Sequence, residues 1–461
     1  MIDFKDKTVV VLGAARQGLA LAKYAARHGA GKIIITDKRS VEQLKDARES
    51  MAEIDPEWVC GEHPLSLLDR ADMLLITAGA DLRIPFLQEA KKRNIPIWND
   101  ASIFLHEVKN PIIAITGSSG KTTTTTLVGR MAKAAAAPGQ TVWVGGNIGF
   151  ALMSFIDDIQ PDDMVVLELS SFQLELVKDS PHIAAILNIT PNHLDRHETM
   201  ENYTAAKVNI LRFQNEHDTA VLFRENEQTW KQRSLLCGDL VSFGFEEPAA
   251  DEERAVYLKN EHIILREKGE EQIIMTTELI RLRGRHNVCN VMAACAIAAA
   301  AGFPIAAMRA GVEGFTGVPH RLQWVRNYHG ADWYNDSIAT APERTMAALH
   351  SFHEPMVVLL GGRDKKLPWD ELAAELQKCA HCVIFFGQDA PIAEKALKQA
   401  QTADGPELVR CDTLEEAVKA AAEKCREGDV VLLSPGMTSY DAFINFEERG
   451  DKFTEWVKAL D

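Results

Sequence analysis

Residues Ile115 to Leu127 read ITGSSGKTTTTTL. The apolar run IIAI at 112–115 leads in as a strand, TGSSG is a turn of small residues, and KTTTTTLVGRMA opens a helix. Such a junction turns backbone N–H groups and the positive end of a helix dipole toward an anion. Lys121 would reach terminal phosphates, and the Thr122 hydroxyl would bind magnesium. The common phosphate-loop spelling GxxxxGK[ST] has a glycine where Ile115 stands, so this loop takes another geometry. The plainer alternative is an ordinary strand–turn–helix junction, and the order of strand, small-residue turn, Gly-Lys-Thr and helix argues against it.

Outward from this loop, 461 residues suggest roughly three domains at about 150 residues each. A hydrophobic share of 46% with 25% charged residues is that of an ordinary globular chain. The net charge of -16 argues against nucleic-acid partners, which require a basic face. No apolar run approaches the roughly 20 residues of a membrane span, and MIDFKDKTVVVLG reads as a strand entry rather than a signal peptide. A cytoplasmic protein without a membrane partner is expected. The eight cysteines are scattered and read as reduced thiols; CAHC at 379–382 has no second pair at zinc spacing.

TVVVLG, LALAKYAARHG, KIIITD and ADMLLITAG alternate strand and helix patterns, the βαβ signature of a parallel sheet. The pattern restarts after HEVKNP and again near Arg321, where MVVLLGG, CVIFFG and DVVLLSPG follow. The fold class is therefore α/β in three domains. Residues 1–107 are Rossmann-like, 108–317 form a P-loop ATPase-type domain with a mostly parallel sheet and helices, and 318–461 are Rossmann-like again.

Glu168, in VVLELSS, is a carboxylate ending an apolar strand, where a ligand site belongs; a bound cation would compensate its burial, and a solvent-facing strand end is the alternative. NITPNHLDRH at 188–197 offers His193, Asp195 and His197 to a metal, or is an exposed loop. GAARQG at 13–18 with Asp37 resembles a dinucleotide fingerprint whose central glycine is Ala15, which disfavours NAD and leaves a nucleotide diphosphate open. Asn287 and Asn290 share a helix face, for capping or for a base. Arg321, Asp336, Lys365 and Ser439 sit in turn-like settings.

Taken in order, TGSSGKTT, GGNIG, LELSSFQLE, NITPNHLDRH, YTAAK, GRHNVCN, PHR, NDS and SPGMTSYDAFINFEERGDKF resemble the blocks of the Mur ligase family over essentially the whole chain, with LELSSFQLE and NFEERG closest to its D-glutamate-adding branch. The resemblance implies an ATP-dependent amide ligase that adds D-glutamate to UDP-N-acetylmuramoyl-L-alanine through an acyl phosphate, a monomer in peptidoglycan precursor synthesis. It implies that Gly117, Ser118, Ser119, Gly120, Lys121, Thr122 and Thr123 hold the phosphates, Asn287 and Asn290 the adenine end, and Arg321 and Asp336, from the third domain, phosphate and ribose. Thr122 and Glu168 would bind one magnesium, and Glu168, His193 and Lys207 a second. Lys207, by itself a solvated helix residue, would be carbamylated to become an anionic ligand. Arg16, Gln17, Asp37, Lys38, Arg39 and Gly79 would take the uridine side of the substrate, with Asn147, Ser170 and His193 on its sugar and carboxylate side. Thr340, Lys365, Ser439 and Phe446 would form the glutamate pocket.

Three departures bear on that pocket. Ile338 stands where many relatives have lysine, GGRDK replaces GGDGK, with Arg363 as a compensating charge, and SPGMTS replaces SPACAS. A sibling ligase for another amino acid or L-glutamate, a folylpolyglutamate synthetase, and a nucleotide-gated binding protein are the alternatives. About 107 residues ahead of the ATP domain weigh against the folate enzyme.

Overall fold

The computed structural model describes residues 2–148, 151–402 and 405–461, so Gly149 of the GGNIG block lies outside them. The chain divides into two compact units, Met1–Glu313 and Gly314–Asp461.

The first unit contains two sheets. β1 (Thr8–Leu12), β2 (Lys32–Asp37), β3 (Glu57–Cys60), β4 (Met73–Ile76) and β5 (Ile97–Asn99) pair in the order β3-β2-β1-β4-β5, all parallel. The continuous apolar run Val9, Val10, Val11 is wholly buried, as expected of a central strand covered on both faces. The second sheet is built from β6 (Ile112–Thr116), β7 (Val142–Gly146), β8 (Met164–Glu168), β9 (Ile183–Ile186), β10 (Thr219–Phe223), β11 (Asp239–Gly244), β12 (Arg254–Lys259), β13 (His262–Glu267) and β14 (Glu270–Thr276). Its order is β14-β13-β12-β11-β10-β9-β6-β8-β7. It is parallel from β7 across to β12 and ends in two antiparallel hairpins. β6 lies between β9 and β8, so the loop leaving its carboxyl end opens at a point where the chain passes to either side, the usual place for a ligand in an open α/β sheet. One hydrophobic core runs through both sheets from Phe4 to Leu222, with Phe155 packed on Phe104 and stacked on Trp143.

In the second unit, β15 (Gln323–Tyr328), β16 (Ala331–Asn335), β17 (Met356–Gly361), β18 (Ala380–Phe386), β19 (Glu407–Arg410) and β20 (Val430–Gly436) pair in the order β15-β16-β20-β17-β18-β19. Only the β15–β16 pair is antiparallel. Helices bury an apolar layer on each face of this sheet. Among the described residues no helix is long and apolar enough to cross a membrane.

The turn after β1 shows how closely the backbone dictates sequence. Gly13 has a φ of +99°, and a β-carbon at Gly18, in the first turn of the helix Arg16–Arg27, would lie 1.8 Å from the Gly13 carbonyl oxygen. Alanine favours a helix over glycine by about 1 kcal/mol, but a forced backbone shift costs about 1–3 kcal/mol, so the clash wins. Gly18→Ala is therefore expected to lower the melting temperature of the first unit in a thermal scan; an unchanged or raised value would refute this packing.

Candidate active site

The phosphate-type loop is held from three sides. Gly120 caps the helix Lys121–Ala135 in the left-handed region, with a φ of +80°. A β-carbon there would lie 2.2 Å from Asn290 Oδ1, so the carboxamide presses directly on the loop backbone. The Asn290 amide also donates to Asn287 Oδ1 at 3.0 Å, pairing the two asparagines expected to share a face of the helix Arg285–Ala300. On the opposite side Asn188, at the exit of β9, accepts the Ser118 N–H on its carbonyl and the Ser119 N–H on Oδ1, both at 2.9 Å. Ser118 Oγ meets the Tyr203 hydroxyl at 3.0 Å.

Two lysines converge on the carbonyl oxygen of Gly117: Lys121 Nζ donates to it at 2.8 Å and Lys207 Nζ at 2.9 Å. Lys207 is 1% exposed, with its amine 4.8 Å above the Tyr203 ring, so its reading as a solvated helix residue is overturned. The helix Met200–Arg212 turns this position inward, and the ring closes over it. Burial, reinforced by the Lys121 charge and opposed by Glu168, pushes the Lys207 amine down to about 7.

Glu168 ends β8 and is 1% exposed, so the buried alternative holds over the solvent-facing one. Its Oε1 accepts the Asn147 amide at 2.8 Å, and its Oε2 is buried without a hydrogen-bond partner. Such an oxygen is costly unless a cation takes it up. With the Thr122 hydroxyl in the first turn of the helix, the donors are hard oxygens of the kind magnesium prefers, so these residues fit that ion. Among the described residues no three His, Cys, Asp or Glu side chains form a metal cluster, and a site here has to draw on other donor types.

NITPNHLDRH is partly exposed and partly buried. His193 is exposed at the start of the short helix Leu194–His197, with a φ of +53°, its ring edge-on to Phe172. His197 turns inward to Ser171 Oγ at 3.0 Å and Glu175 at 3.4 Å. Arg196 donates to the carbonyls of Gly79 and Ala80 at 3.2 and 3.1 Å, tying this loop to the first sheet. Ser170 caps the helix Ser171–Leu174. Arg16 and Gln17 open the first helix, and Asp37, at the end of β2, accepts the Ala14 N–H at 2.8 Å and pairs with Arg39, which together hold its carboxyl well below the usual range; Lys38 beside it is exposed.

In the second unit Lys365 Nζ donates to Thr340 Oγ1 at 3.0 Å, joining two predicted pocket residues, while the Ser337 hydroxyl donates to the Phe446 carbonyl at 2.8 Å and Ser439 is buried. Arg321 and Asp336 line one cavity of about 310 Å³. Arg449, which the sequence reading passed over, is fully buried and donates to Ser337 Oγ and O and to the carbonyls of Gly361 and Met437. A charge inside an amphipathic helix normally marks the solvent face; here it ties together the ends of three strands.

Three family descriptions match in sequence: Mur ligase MurD-like N-terminal domain at residues 7–99, Mur ligase middle domain at 115–298, and Mur ligase glutamate ligase domain at 320–437. A protein named UDP-N-acetylmuramoylalanine--D-glutamate ligase from Acetivibrio thermocellus is 39% identical over 99% of this chain and 97% of its own. The protein of that name from Symbiobacterium thermophilum is also 39% identical, over 99% and 98%. The chain belongs to the Mur ligase family. Solved Mur ligases share the fold: UDP-N-acetylmuramate-alanine ligase MurC from Thermotoga maritima aligns with a TM-score of 0.53 at 18% identity, over 98% of this chain and 99% of that one. MurF from Acinetobacter baumannii gives 0.54 at 17%, over 98% and 92%. The chain thus consists of three Mur-ligase-like α/β domains with parallel-rich sheets.

One buried carboxyl of this Mur ligase gives a pH signature. Burial pushes the Asp336 carboxyl up to about 7, against hydrogen bonds from the Ser434 hydroxyl and Leu322 N–H and the charges of Arg321 and Arg344. An unfolded aspartate ionises near 3.9. Between pH ~4 and ~7 the folded state keeps a proton that the unfolded state has lost, so this group's stabilising contribution, complete below pH ~4, drains away as pH rises to ~7. Asp336→Asn is expected to flatten the fall in unfolding free energy across that window, a change of up to about 4 kcal/mol. Denaturant titrations from pH 4 to 8 check it, and an unaltered slope would be evidence against a buried, protonated Asp336.

Proposed function

We propose that this chain joins D-glutamate to UDP-N-acetylmuramoyl-L-alanine at the expense of ATP, as a cytoplasmic monomer in peptidoglycan precursor synthesis. Residues 1–107, 108–317 and 318–461 serve as the UDP-substrate, ATP and amino-acid domains. The observation that carries the reading is the buried pair beside the phosphate-type loop: a Glu168 oxygen without a partner and a Lys207 amine lowered to about 7. The names of relatives at 39% identity support the choice of substrates.

A carboxylate is a poor electrophile at neutral pH. Transfer of the γ-phosphoryl group to the alanyl carboxylate gives ADP and an acyl phosphate; the glutamate amine attacks the acyl carbon, loses a proton, and inorganic phosphate leaves. Lys121, Thr123 and the N–H groups of Gly117 to Gly120 neutralise and orient the β and γ phosphates, which is most of what phosphoryl transfer asks of a protein. Asn287 and Asn290 hold the adenine end, and Arg321 and Asp336 serve phosphate and ribose. Thr122 with Glu168, and Glu168 with His193 and Lys207, are the groups that would hold two magnesium ions, which when bound supply positive charge at the phosphoryl oxygens. Lys207 can serve only as an anion. Its neutral amine attacks carbon dioxide and releases a proton to give a carbamate, and burial favours that neutral form at neutral pH. Arg16, Gln17, Asp37, Lys38, Arg39 and Gly79 take the uridine part, Asn147, Ser170 and His193 the sugar and carboxylate, and Thr340, Lys365, Ser439 and Phe446 the glutamate.

Phosphate release is expected only with UDP-N-acetylmuramoyl-L-alanine and D-glutamate together. Faster turnover with L-glutamate or D-lysine would reassign the amino acid, and release independent of either substrate would sink the ligase reading in favour of a nucleotide-gated binding protein. Lys207→Ala should lower turnover about 100-fold or more, with partial recovery in added bicarbonate and short carboxylates. Full activity without them removes the carbamate.

A further inference from the structure

The segment 188–198, which follows β9 and carries His193, is held at both ends. At the first end it clasps the phosphate-type loop. The Asn188 carboxamide accepts the Ser119 N–H at 2.9 Å and donates back to the Ser119 carbonyl at 3.2 Å, while the Asn188 backbone carbonyl takes the Ser118 N–H at 2.9 Å. The Ser118 hydroxyl donates to the Thr190 carbonyl and accepts the Thr190 N–H, both at 3.0 Å. A carbonyl can only accept, so the hydroxyl proton is committed there, and the Tyr203 hydroxyl at 3.0 Å is the donor to Ser118 Oγ. At the far end Arg196 donates to the carbonyls of Gly79 and Ala80 in the turn after β4 and lies 4.7 Å over the Phe172 ring, and Glu198 pairs with Arg83 at 2.6 Å. Within the segment His193 and Glu198 have φ of +53° and +66°, a strained state for non-glycine residues that persists only where the neighbours over-determine it.

We propose that residues 188–198 are a strut that fixes the spacing between the phosphoryl donor and the acceptor carboxylate, with Ser118, Asn188 and Arg196 as its positioning residues. This rests on the ligase reading above and narrows it: the Ser118 and Ser119 N–H groups and the Ser118 hydroxyl serve the strut, and Gly120, Lys121 and Thr122 meet the phosphates. One short segment touches the loop assigned to ATP at one end and the Gly79 turn assigned to the UDP-linked substrate at the other, with His193 between them. Transfer requires the reacting atoms about 3–3.5 Å apart and aligned, and a misplacement of about 1 Å costs about 100-fold in rate. Two sites that each bind well but stand out of register would therefore bind and not react.

The test measures kcat in phosphate release for the full-length wild type, Ser118→Ala, Ser118→Thr, Arg196→Met and the double variant, and separately the Kd for ATP in the absence of the other two substrates. Arg196→Met keeps an apolar stem over Phe172 and removes the donors. Ser118→Ala and Arg196→Met are each expected to lower kcat about 10-fold or more, while the Kd for ATP stays within about threefold. Ser118→Thr, which keeps the hydroxyl, should recover most of the loss. Ser118 and Arg196 share no hydrogen-bond partner among the described residues, so independent effects would multiply. As two ends of one strut they should not, and the double variant is expected within about threefold of the worse single one. Multiplying effects, an unchanged kcat in either single variant, or a Kd for ATP that rises as far as kcat/KM falls would each overturn the strut while the functional reading stands. A wild type without D-glutamate-dependent release sinks the functional reading and this inference with it.

Discussion

The site in the first unit depends on a single oxygen, the Gly117 carbonyl, which accepts from both Lys121 and Lys207. Two ammonium groups a few ångströms apart repel by about 3–4 kcal/mol at an effective dielectric constant of ~20. The Ser118 carbonyl, which accepts from Lys121 at 3.3 Å, the Thr116 hydroxyl at 3.5 Å from Lys207, and the Glu168 charge all act against that repulsion, and an arriving anion or the loss of one amine's proton would relieve it further. The buried amine is the one that yields, and Lys207 is lowered to about 7 while Lys121 stays at the loop surface, half-buried. Burial lowers the Lys207 amine first and the Lys121 charge second, so the two lysines sit side by side in unlike environments.

Backbone constraints keep this pair in register. Gly120 leaves room for the Asn290 carboxamide, and Gly146, with a φ of +107°, brings its backbone so close to Glu168 that a β-carbon would lie 2.2 Å from the glutamate carbonyl. Asn147, the next residue, donates to the carboxylate and takes its N–H to the same carbonyl. Thus the helix Arg285–Ala300, the phosphate-type loop, β7 and β8 meet within one patch, and the permissive residues are those where one backbone must touch another.

The strands, the phosphate-type loop and the Asn287–Asn290 face were legible in the sequence because each follows from local spacing: apolar runs of strand length, small residues before Gly-Lys-Thr, a three-residue helical offset. The antiparallel β12–β14 edge was not, since its segment lacks the long buried runs of a central strand; β14 is exposed over its first four residues. Lys207 and Arg449 were illegible for a different reason. Whether a lone cation in an amphipathic helix faces water or the interior is decided by what packs over it, Tyr203 in one case and three strand ends in the other, and those neighbours are distant in sequence. Lys207 entered through family resemblance, and Arg449 did not enter at all.

The buried Arg449 also explains how the second unit tolerates its unusual spellings. Its contacts are to the carbonyls of Gly361, Met437 and Ser337 and to the Ser337 hydroxyl, so it holds the backbone at Met437 while the Met437 side chain packs, fully buried, in the core of the unit. Two of the departures, GGRDK and SPGMTS, meet each other. Arg363 and Thr438 exchange two backbone hydrogen bonds of 2.9 Å, and the Thr438 hydroxyl donates to the Arg363 carbonyl, also at 2.9 Å. Arg363 enters this contact through its backbone, and its side chain is exposed. Lys365 follows Arg363 by two residues and Ser439 follows Thr438 directly, so this backbone pairing ties together the two loops that carry them.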